Sequence, residues 1–243
     1  MILIDTVYQK VLAIANKEQR GYITPQEFNL FANQAQMEIF EQYFYDINQF
    51  KRLPGNSTEY SDMVNMLEEK ISAFEKFKVA PDSVSGSVIT LPTDLYRLGT
   101  VYSTVVTSNP IVEKVDKKTI QLIINSPLTA PTDSRPVFVY QAPSTAGVSK
   151  IKIFPTATTY TTSNLSVNYI KKPTTVKWTY VVINDKAVHN SGAADLQNFE
   201  LHESEESELV IKILQLAGIS IKDYQLASVA SNKEVSTISQ EKQ

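Results

Sequence analysis

The spacing of the apolar residues changes twice along this chain of 243 residues. Over the first 80 residues apolar side chains recur every three or four positions, as at Ile4, Val7 and Val11, which is typical of amphipathic helices. From Pro81 onward, short runs rich in Val, Ile, Thr and Tyr alternate with Pro, Gly, Asn and Ser, which is typical of strands and turns. Helical spacing returns after Phe199. We therefore expect an α+β protein, in which a helical bundle from the N- and C-terminal segments carries an inserted antiparallel β domain.

These changes predict three parts. Residues 1–80 form an N-terminal helical part, residues 81–190 an antiparallel β domain, and residues 191–243 a C-terminal helix that completes the bundle, followed by a tail segment. The second helix begins at the capping box Thr24–Glu27 and the third covers about residues 60–78. Strands are predicted at Ser87–Leu91, Leu98–Val106, Thr119–Ile124, Pro136–Gln141, Lys150–Phe154, Leu165–Lys171 and Trp178–Ile183, the last turning at Asn184 and returning through Lys186–His189.

The composition excludes many kinds of active site. The chain has no cysteine and two histidines, His189 and His202. Disulfide scaffolds, thiolate zinc sites, iron–sulfur clusters, cysteine nucleophiles and centres with several histidines are therefore excluded. No stretch approaches the roughly 18 uninterrupted apolar residues of a membrane span, and no basic region opens the chain. We expect a non-enzymatic protein with no cofactor, no metal and no membrane partner, made in a cytoplasm.

Two segments have some features of a metal site. Residues 16–27 have the frame of an EF-hand loop, with Gly21 at position 6 and Glu27 at position 12, but Arg20 stands where calcium needs an oxygen. A helix–turn–helix connection explains the same residues. The run from His202 to Glu206 is acidic at the start of a helix, where carboxylates suit the helix dipole without any metal.

Catalytic motifs are missing. A hydrolase would need one of the two histidines beside a serine and an acid, and Gly192–Asp195 lies near His189 in sequence. The chain has no Gly-x-Ser-x-Gly elbow and no glycine-rich phosphate loop.

Basic and aromatic residues are interleaved in the β segment. This pattern grips phosphates or stacks bases in some nucleic-acid-binding proteins, and in many others it is the exposed face of an amphipathic sheet. The residues are Lys150, Lys152, Tyr169, Lys171, Lys172, Lys177, Trp178 and Tyr180.

Charge is distributed unevenly. Residues 1–80 carry a net charge of −3, residues 81–190 carry +5 and residues 191–243 carry −5. A basic middle between acidic ends fits copies of one chain that meet through unlike surfaces. Solvation of an open sheet face by Lys and Arg explains the same pattern.

The second predicted helix is aromatic on more than one face. Such a helix must bury two sides, one in its own bundle and one against another molecule. We therefore predict that these rings form an oligomer interface: Phe40, Tyr43, Phe44, Tyr45 and Phe50.

Four motifs in this order resemble the head-to-tail connector (ring or adaptor) proteins of tailed bacteriophages, most closely those of crAss-like short-tailed phages of gut Bacteroidales. The resemblance covers most of the chain, and its motifs are Leu91–Leu98 (LPTDLYRL), Lys150–Pro155 (KIKIFP), Val167–Pro173 (VNYIKKP) and Asn198–Leu201 (NFEL).

The resemblance implies a structural virion protein of the phage neck or tail. It would form a homo-oligomeric, dodecameric ring that binds the portal protein and other neck or tail ring proteins. DNA would pass through the ring during ejection without sequence-specific binding. Family adaptors often grasp the portal with the C-terminal segment, here about Ile219–Gln243. The alternative, from the residues alone, is a carbohydrate-binding or adhesive β-rich module in which Trp178 contacts the sugar.

Overall fold

The computed structural model describes residues 1–17, 23–52, 58–143, 147–184, 186–220, 232–233 and 236. These residues belong to two compact units. Unit 1 contains Met1–Ala73 and Pro173–Gln243, and unit 2 contains Phe74–Lys172.

The elements follow one another as α1 (Ile4–Lys17), α2 (Pro25–Arg52), α3 (Thr58–Ser72), β1 (Glu75–Val79), β2 (Ser83–Ser85), β3 (Val88–Thr90), β4 (Leu95–Ser103), β5 (Ile111–Lys114), α4 (Lys117–Ile124), β6 (Val137–Gln141), β7 (Lys150–Phe154), β8 (Leu165–Lys171), β9 (Tyr180–Ile183), β10 (Lys186–His189) and α5 (Glu206–Ser220). A single 3-10 turn at Glu203–Glu205 leads into α5. In the part of the chain that the structure describes, no helix has both the length and the apolar character needed to cross a membrane.

Unit 1 is built around α2, which α5 and α3 contact; α5 also contacts α1. The first turn of α2 contains the capping box that the sequence predicts. The Thr24 N–H donates to Glu27 Oε2 (3.0 Å) and the Glu27 N–H donates to Thr24 Oγ1 (3.3 Å). Behind this cap the apolar stripe of α2 is buried, beginning with Phe28, Ala32 and Ala35. The local pattern and the packing agree here, so the helix begins where its sequence predicts.

Unit 2 is one curled eight-stranded sheet, in the order β1-β8-β4-β5-β6-β7-β3-β2. Neighbouring strands are antiparallel except β5 and β6, which are parallel. Paired strands place a continuous apolar cluster on one face of the sheet, including Ile89, Val101, Phe138, Ile151 and Val167. The alternate residues of β7, Lys150 and Lys152, lie on the opposite face of the sheet, where they pair with Gln141 and Val139 of β6.

The prediction of a helical bundle with an inserted antiparallel β domain is wrong. The protein is α+β, but among the described residues five α-helices accompany a large mixed sheet that makes up much of the fold. The error has a specific source in Thr119–Ile124, which we predicted as a strand. This β-branched run is helical in α4, and α4 is the crossover that lets β5 and β6 run parallel.

The third helix is also shorter than predicted. It ends at Ser72, and residues 75–78, which we placed in the helix, belong to the edge strand β1. Main-chain pairing with β8 fixes this strand, and the Lys78 N–H donates to Asn168 Oδ1 (2.8 Å). Such long-range partners are absent from the local pattern, which is why apolar spacing alone misassigned the segment.

Candidate assembly surface

Strands β9 and β10 form a hairpin that is a sheet of its own. Tyr180 pairs with His189, Val181 with Val188, and Val182 with Ala187. The turn uses Asn184 in the left-handed region (φ +50), where asparagine is tolerated better than most residues. In the described part of the chain no third strand joins this ribbon, so both of its edges are open.

Apolar side chains on this hairpin are exposed. Val182 and Ile183 are 62 % and 54 % exposed, and all four residues of β9 belong to the exposed class. Because Val181 and Val188 are paired neighbours, they lie on one face, next to Ile183 and away from Val182. We call the exposed set the apolar hairpin: Tyr180, Val181, Val182, Ile183 and Val188. A two-stranded ribbon is only marginally stable by itself, and its open apolar edge is a template for pairing with another chain.

The base of the hairpin rests on a buried tryptophan. Trp178 is 1 % exposed, and its ring lies 4.2 Å from the ring of Tyr8 and 5.8 Å from that of Tyr180, measured between centroids. The His189 ring stacks on it at 5.6 Å. The indole Nε1–H donates to Asp5 Oδ1 (2.9 Å), which satisfies the polar end of the buried ring.

A row of side-chain amides on α2 holds the segment that leads into β9. Asn29 accepts from the Trp178 N–H (2.8 Å) and donates to the Trp178 carbonyl (3.2 Å). Asn33 bonds Val176 in the same two ways, at 2.8 and 2.9 Å. Gln36 donates to the Thr174 carbonyl (2.9 Å). These amides replace the neighbouring strand that an extended backbone normally needs, so the hairpin projects from a fixed base.

Sequence analysis missed this row of amides. The signal is present, since Asn29, Asn33 and Gln36 recur at helical spacing on one face of α2. Polar residues on a helix are more often solvated, and nothing local shows that an extended segment 138 to 149 residues later in the chain will need their amides.

The two units carry opposite net charges. Unit 2 has eleven Lys and Arg and six Asp and Glu, a net charge of +5. The rest of the chain has twelve basic and twenty acidic residues, a net charge of −8. The two values give the chain's net charge of −3. Unit 2 of one copy and unit 1 of another are therefore electrostatically complementary.

The structure places the five predicted interface residues differently from one another. Phe40 and Tyr43 are buried inside the chain, whereas Phe44 is half-buried and its ring centroid lies 5.1 Å from that of Phe40. Tyr45 is 65 % exposed. The side chain of Phe50 lies outside the described residues. The interface stays a prediction, and Tyr45 is the most exposed of the four members of this set whose side chains the structure describes.

The acidic run before α5 is satisfied by cations of unit 1. Lys70 Nζ lies 2.5 Å from the Glu205 carboxylate, and Lys10 Nζ lies 2.8 Å from that of Glu206. The His202 ring accepts from the Ser204 N–H (3.3 Å) and so caps the turn. The described residues contain no group of three potential metal ligands. Of the EF-hand-like loop, residues 18–22 lie outside the described part.

The hydrolase candidates are not brought together as their sequence order indicated. Asp195 binds Lys177, and this pairing holds the pKa of the carboxyl below its usual value. The carboxylate near His189 is Asp5, with 3.9 Å between His189 Nδ1 and Asp5 Oδ1. Asp5 already accepts the indole N–H, so this pair serves the packing around Trp178.

The basic and aromatic set divides between the units. Tyr169 is buried in unit 2, and its hydroxyl donates to Asp94 Oδ1 (2.8 Å). Trp178 is buried in unit 1, so neither ring offers a face to a base or a sugar. The pKa of Tyr169 is raised, first by burial and then by its bond to Asp94.

The chain matches no model of a protein family, and no curated protein matches its sequence.

Proposed function

We propose that this protein is a structural virion protein that forms a ring in the neck or tail of a tailed phage. In this proposal the ring attaches to the portal and helps to build the channel through which DNA is ejected. The protein has no catalytic role, and DNA passes without sequence-specific contacts.

The apolar hairpin is the observation that carries the proposal. Val182 and Ile183 are more than half exposed on a ribbon whose two edges are open in the described part of the chain. A monomer that functions alone commonly blunts such an edge with charge, proline or a covering element. Here the ribbon is held at its base by Trp178 and by the amides of α2. A fixed and uncovered apolar element is suited to contact another subunit.

The opposite net charges support a ring in particular. A closed ring with one kind of subunit uses a heterologous contact, in which one surface of each copy meets a different surface of the next. Acidic unit 1 and basic unit 2 supply two unlike surfaces on one chain. Their attraction would steer association and disfavour contacts between like surfaces.

The resemblance to phage connectors supplies the place of the ring beneath the portal. Its four motifs lie in β4 and its approach, in β7, in β8 and at the Phe199 bridge to Ile2. The segment Ile219–Gln243, which the resemblance assigns to the portal contact, lies largely outside the described residues.

The proposal is tested by mass photometry of the full chain with and without its portal protein. Wild type is expected to form a closed oligomer, at the latest on the portal. The variant Val181→Thr/Ile183→Thr/Val188→Thr keeps β-branched residues and so keeps the hairpin, but it removes apolar surface and is expected to lose assembly.

The matched control is Leu122→Thr/Leu128→Thr, which alters two apolar residues of unit 2 that are more exposed than those of the hairpin. It is expected to assemble like wild type. Wild-type protein that stays monomeric with the portal would contradict the proposal, and so would a triple variant that assembles normally.

A further inference from the structure

The sheet of unit 2 opens between β4 and β5. These strands pair only at Val101–Val112 and Tyr102–Ile111. On the other side of Val101, Arg97 and Leu98 pair with β8, and in the part of the chain described the segment Arg97–Thr100 has no pairing with β5. A cleft of about 530 Å³ lies at this opening, lined in part by Leu98, Val112 and Phe138.

The pairing of β4 with β8 is irregular beside the cleft. The register of β4 against β8 shifts between Leu98 and Val101. Gly99 lies within this shift, and a Cβ at Gly99 would stand 3.0 Å from the Asn168 carbonyl oxygen. Only glycine allows so close a backbone approach without displacement, so the absence of a side chain at Gly99 lets β4 lie against β8 beside the cleft.

Two cations and a phenol converge on the cleft. Arg97, Lys114 and Tyr140 all line it, and Lys114 Nζ stands 5.0 Å from the centroid of the Tyr140 ring. Neither cation forms an ion pair with any carboxylate of the described residues. Most lysines and arginines on a protein surface likewise lack an ion pair, so this property supports a binding site only because both cations line the same opening.

The Tyr140 hydroxyl is a donor at neutral pH. Burial raises the pKa of Tyr140 above its ordinary value of 10.0, and the nearby Arg97 opposes part of that rise. The phenol is therefore protonated, and it adds a neutral O–H to the two charged donors.

Glu113 works against an anion in this cleft. It lines the same opening, and it has the opposite sign to the two cations. Along β5 the buried Val112 points to the core face, so alternation places Glu113 on the other face and Lys114 on the core face with Phe138, its pairing partner in β6. On β4 it is Leu98 that packs against the core, so its neighbour Arg97 lies on the same face of the sheet as Glu113. Arg97 and Lys114 therefore reach the opening from opposite faces of the sheet, and each interacts there with Tyr140.

We propose that the cleft between β4 and β5 binds a phosphate group, with Arg97 and Lys114 as counter-charges and the Tyr140 hydroxyl as a third donor. An arginine fork and a lysine point charge are the usual pair for a phosphate. The phosphate belongs either to a nucleic-acid backbone or to a free phosphate compound, and both offer the same oxygens. The site lies within one subunit, so this inference does not depend on ring formation.

The test measures binding to the full chain in low salt. Isothermal titration with inorganic phosphate and pyrophosphate probes the free compounds, and anisotropy of a fluorescein-labelled 12-nucleotide thymidine oligonucleotide probes the backbone. Whichever probe binds wild type, Arg97→Gln/Lys114→Gln is expected to weaken it by about tenfold or more.

The matched control is Lys117→Gln/Lys118→Gln, which removes the same charge from the exposed start of α4. It is expected to weaken binding by less than about threefold, because it reduces only the long-range electrostatic attraction between the protein and the anionic probe. Glu113→Gln is expected to tighten binding, and this variant tests the site even if the double cleft variant fails to fold.

Binding of the oligonucleotide alone identifies a nucleic-acid backbone, whereas binding of phosphate or pyrophosphate identifies a free compound. The proposal is overturned if none of the three probes binds wild type, if the two double variants weaken binding equally, or if Glu113→Gln leaves the affinity unchanged.

Discussion

Two short antiparallel strand pairs of this protein differ in whether their apolar side chains are buried. In unit 2, β3 and β7 pair Ile89 with Ile151, and both side chains are buried in the core of the sheet. In unit 1, β9 and β10 pair Val181 with Val188, and both side chains are exposed. The sequences are similar in composition, so the difference comes from what surrounds each ladder. Strands on both sides extend the sheet of unit 2, whereas the hairpin ends in open edges in the described part of the chain.

This comparison shows that the alternation of apolar residues in a strand does not determine whether the strand is buried. Alternation of apolar residues predicts a strand in both places, but burial needs a second layer that alternation does not reveal. The hairpin gains its order from its base, through Trp178 and the amides of α2. Its apolar side chains therefore remain available for another chain.

The largest expected effect is at the base of the hairpin. Trp178→Ala removes a buried ring and leaves Asp5 without the indole donor, so the free energy of unfolding of unit 1 should fall by about 3–5 kcal/mol. Trp178→Phe keeps a ring and should lose less. Denaturant unfolding followed by circular dichroism measures both, and a loss below about 1 kcal/mol for Trp178→Ala would show that the base does not support the hairpin.

The comparison itself is tested by truncating one side chain in each ladder. Ile151→Ala creates a cavity in the core of unit 2 and should cost about 2–5 kcal/mol. Val182→Ala removes a side chain that is 62 % exposed and should cost no more than about 0.5 kcal/mol. Thermal unfolding of both variants as dilute protein would contradict the account if the two costs were equal.

The amides of α2 should matter almost as much as a core residue. Asn33→Ala leaves the Val176 N–H and carbonyl without their partners, at an expected cost of about 2–4 kcal/mol. Gln34→Ala on the exposed side of the same helix is the control, because its amide donates to Glu38 and to no other residue that the structure describes. Hydrogen exchange at the Val176 N–H reports the local effect. Unchanged protection in Asn33→Ala would contradict the claim that the amides of α2 hold the segment before β9.

A smaller effect is expected at the bulge of β4. Gly99→Ala would place a Cβ 3.0 Å from the Asn168 carbonyl oxygen, so the strands must separate, at about 1–3 kcal/mol. Gly192→Ala in unit 1, where the nearest atom to a new Cβ is 3.7 Å away, is the control. If the two variants unfold at the same denaturant concentration, the close approach at Gly99 is unimportant.

The smallest effect concerns acid. Hydrogen bonds from the Thr24 hydroxyl and then from its N–H lower the pKa of Glu27 from its ordinary value of 4.5. The folded pKa is below the unfolded one, so this carboxylate stabilises the fold above pH 4.5 and its contribution is lost as the pH falls through the folded pKa. The difference in melting temperature between wild type and Glu27→Gln should therefore narrow as the pH falls from 6 to 3. A constant difference would contradict this.

Much of the local structure could be predicted from the sequence. Strands β7 and β8 occupy the residues predicted for them, and the capping box at Thr24 forms as expected. The failures share a cause, because both depend on strand pairing: β1 pairs with the distant strand β8, and α4 is the crossover between the parallel strands β5 and β6. Strand β5 was not predicted at all, so the cleft at Arg97 and Lys114 was beyond the reach of sequence reasoning. The hairpin was predicted as a turn at Asn184, but its exposure followed only from the structure.

The central claim is that the apolar hairpin is covered by a neighbouring copy in a ring. Electron-microscopy class averages of the full chain bound to its portal test this most directly. Wild type should show closed rings with one rotational symmetry, and Val181→Thr/Ile183→Thr/Val188→Thr should show none. Single wild-type subunits scattered beside bare portals, or equally frequent rings from the triple variant, would contradict the account.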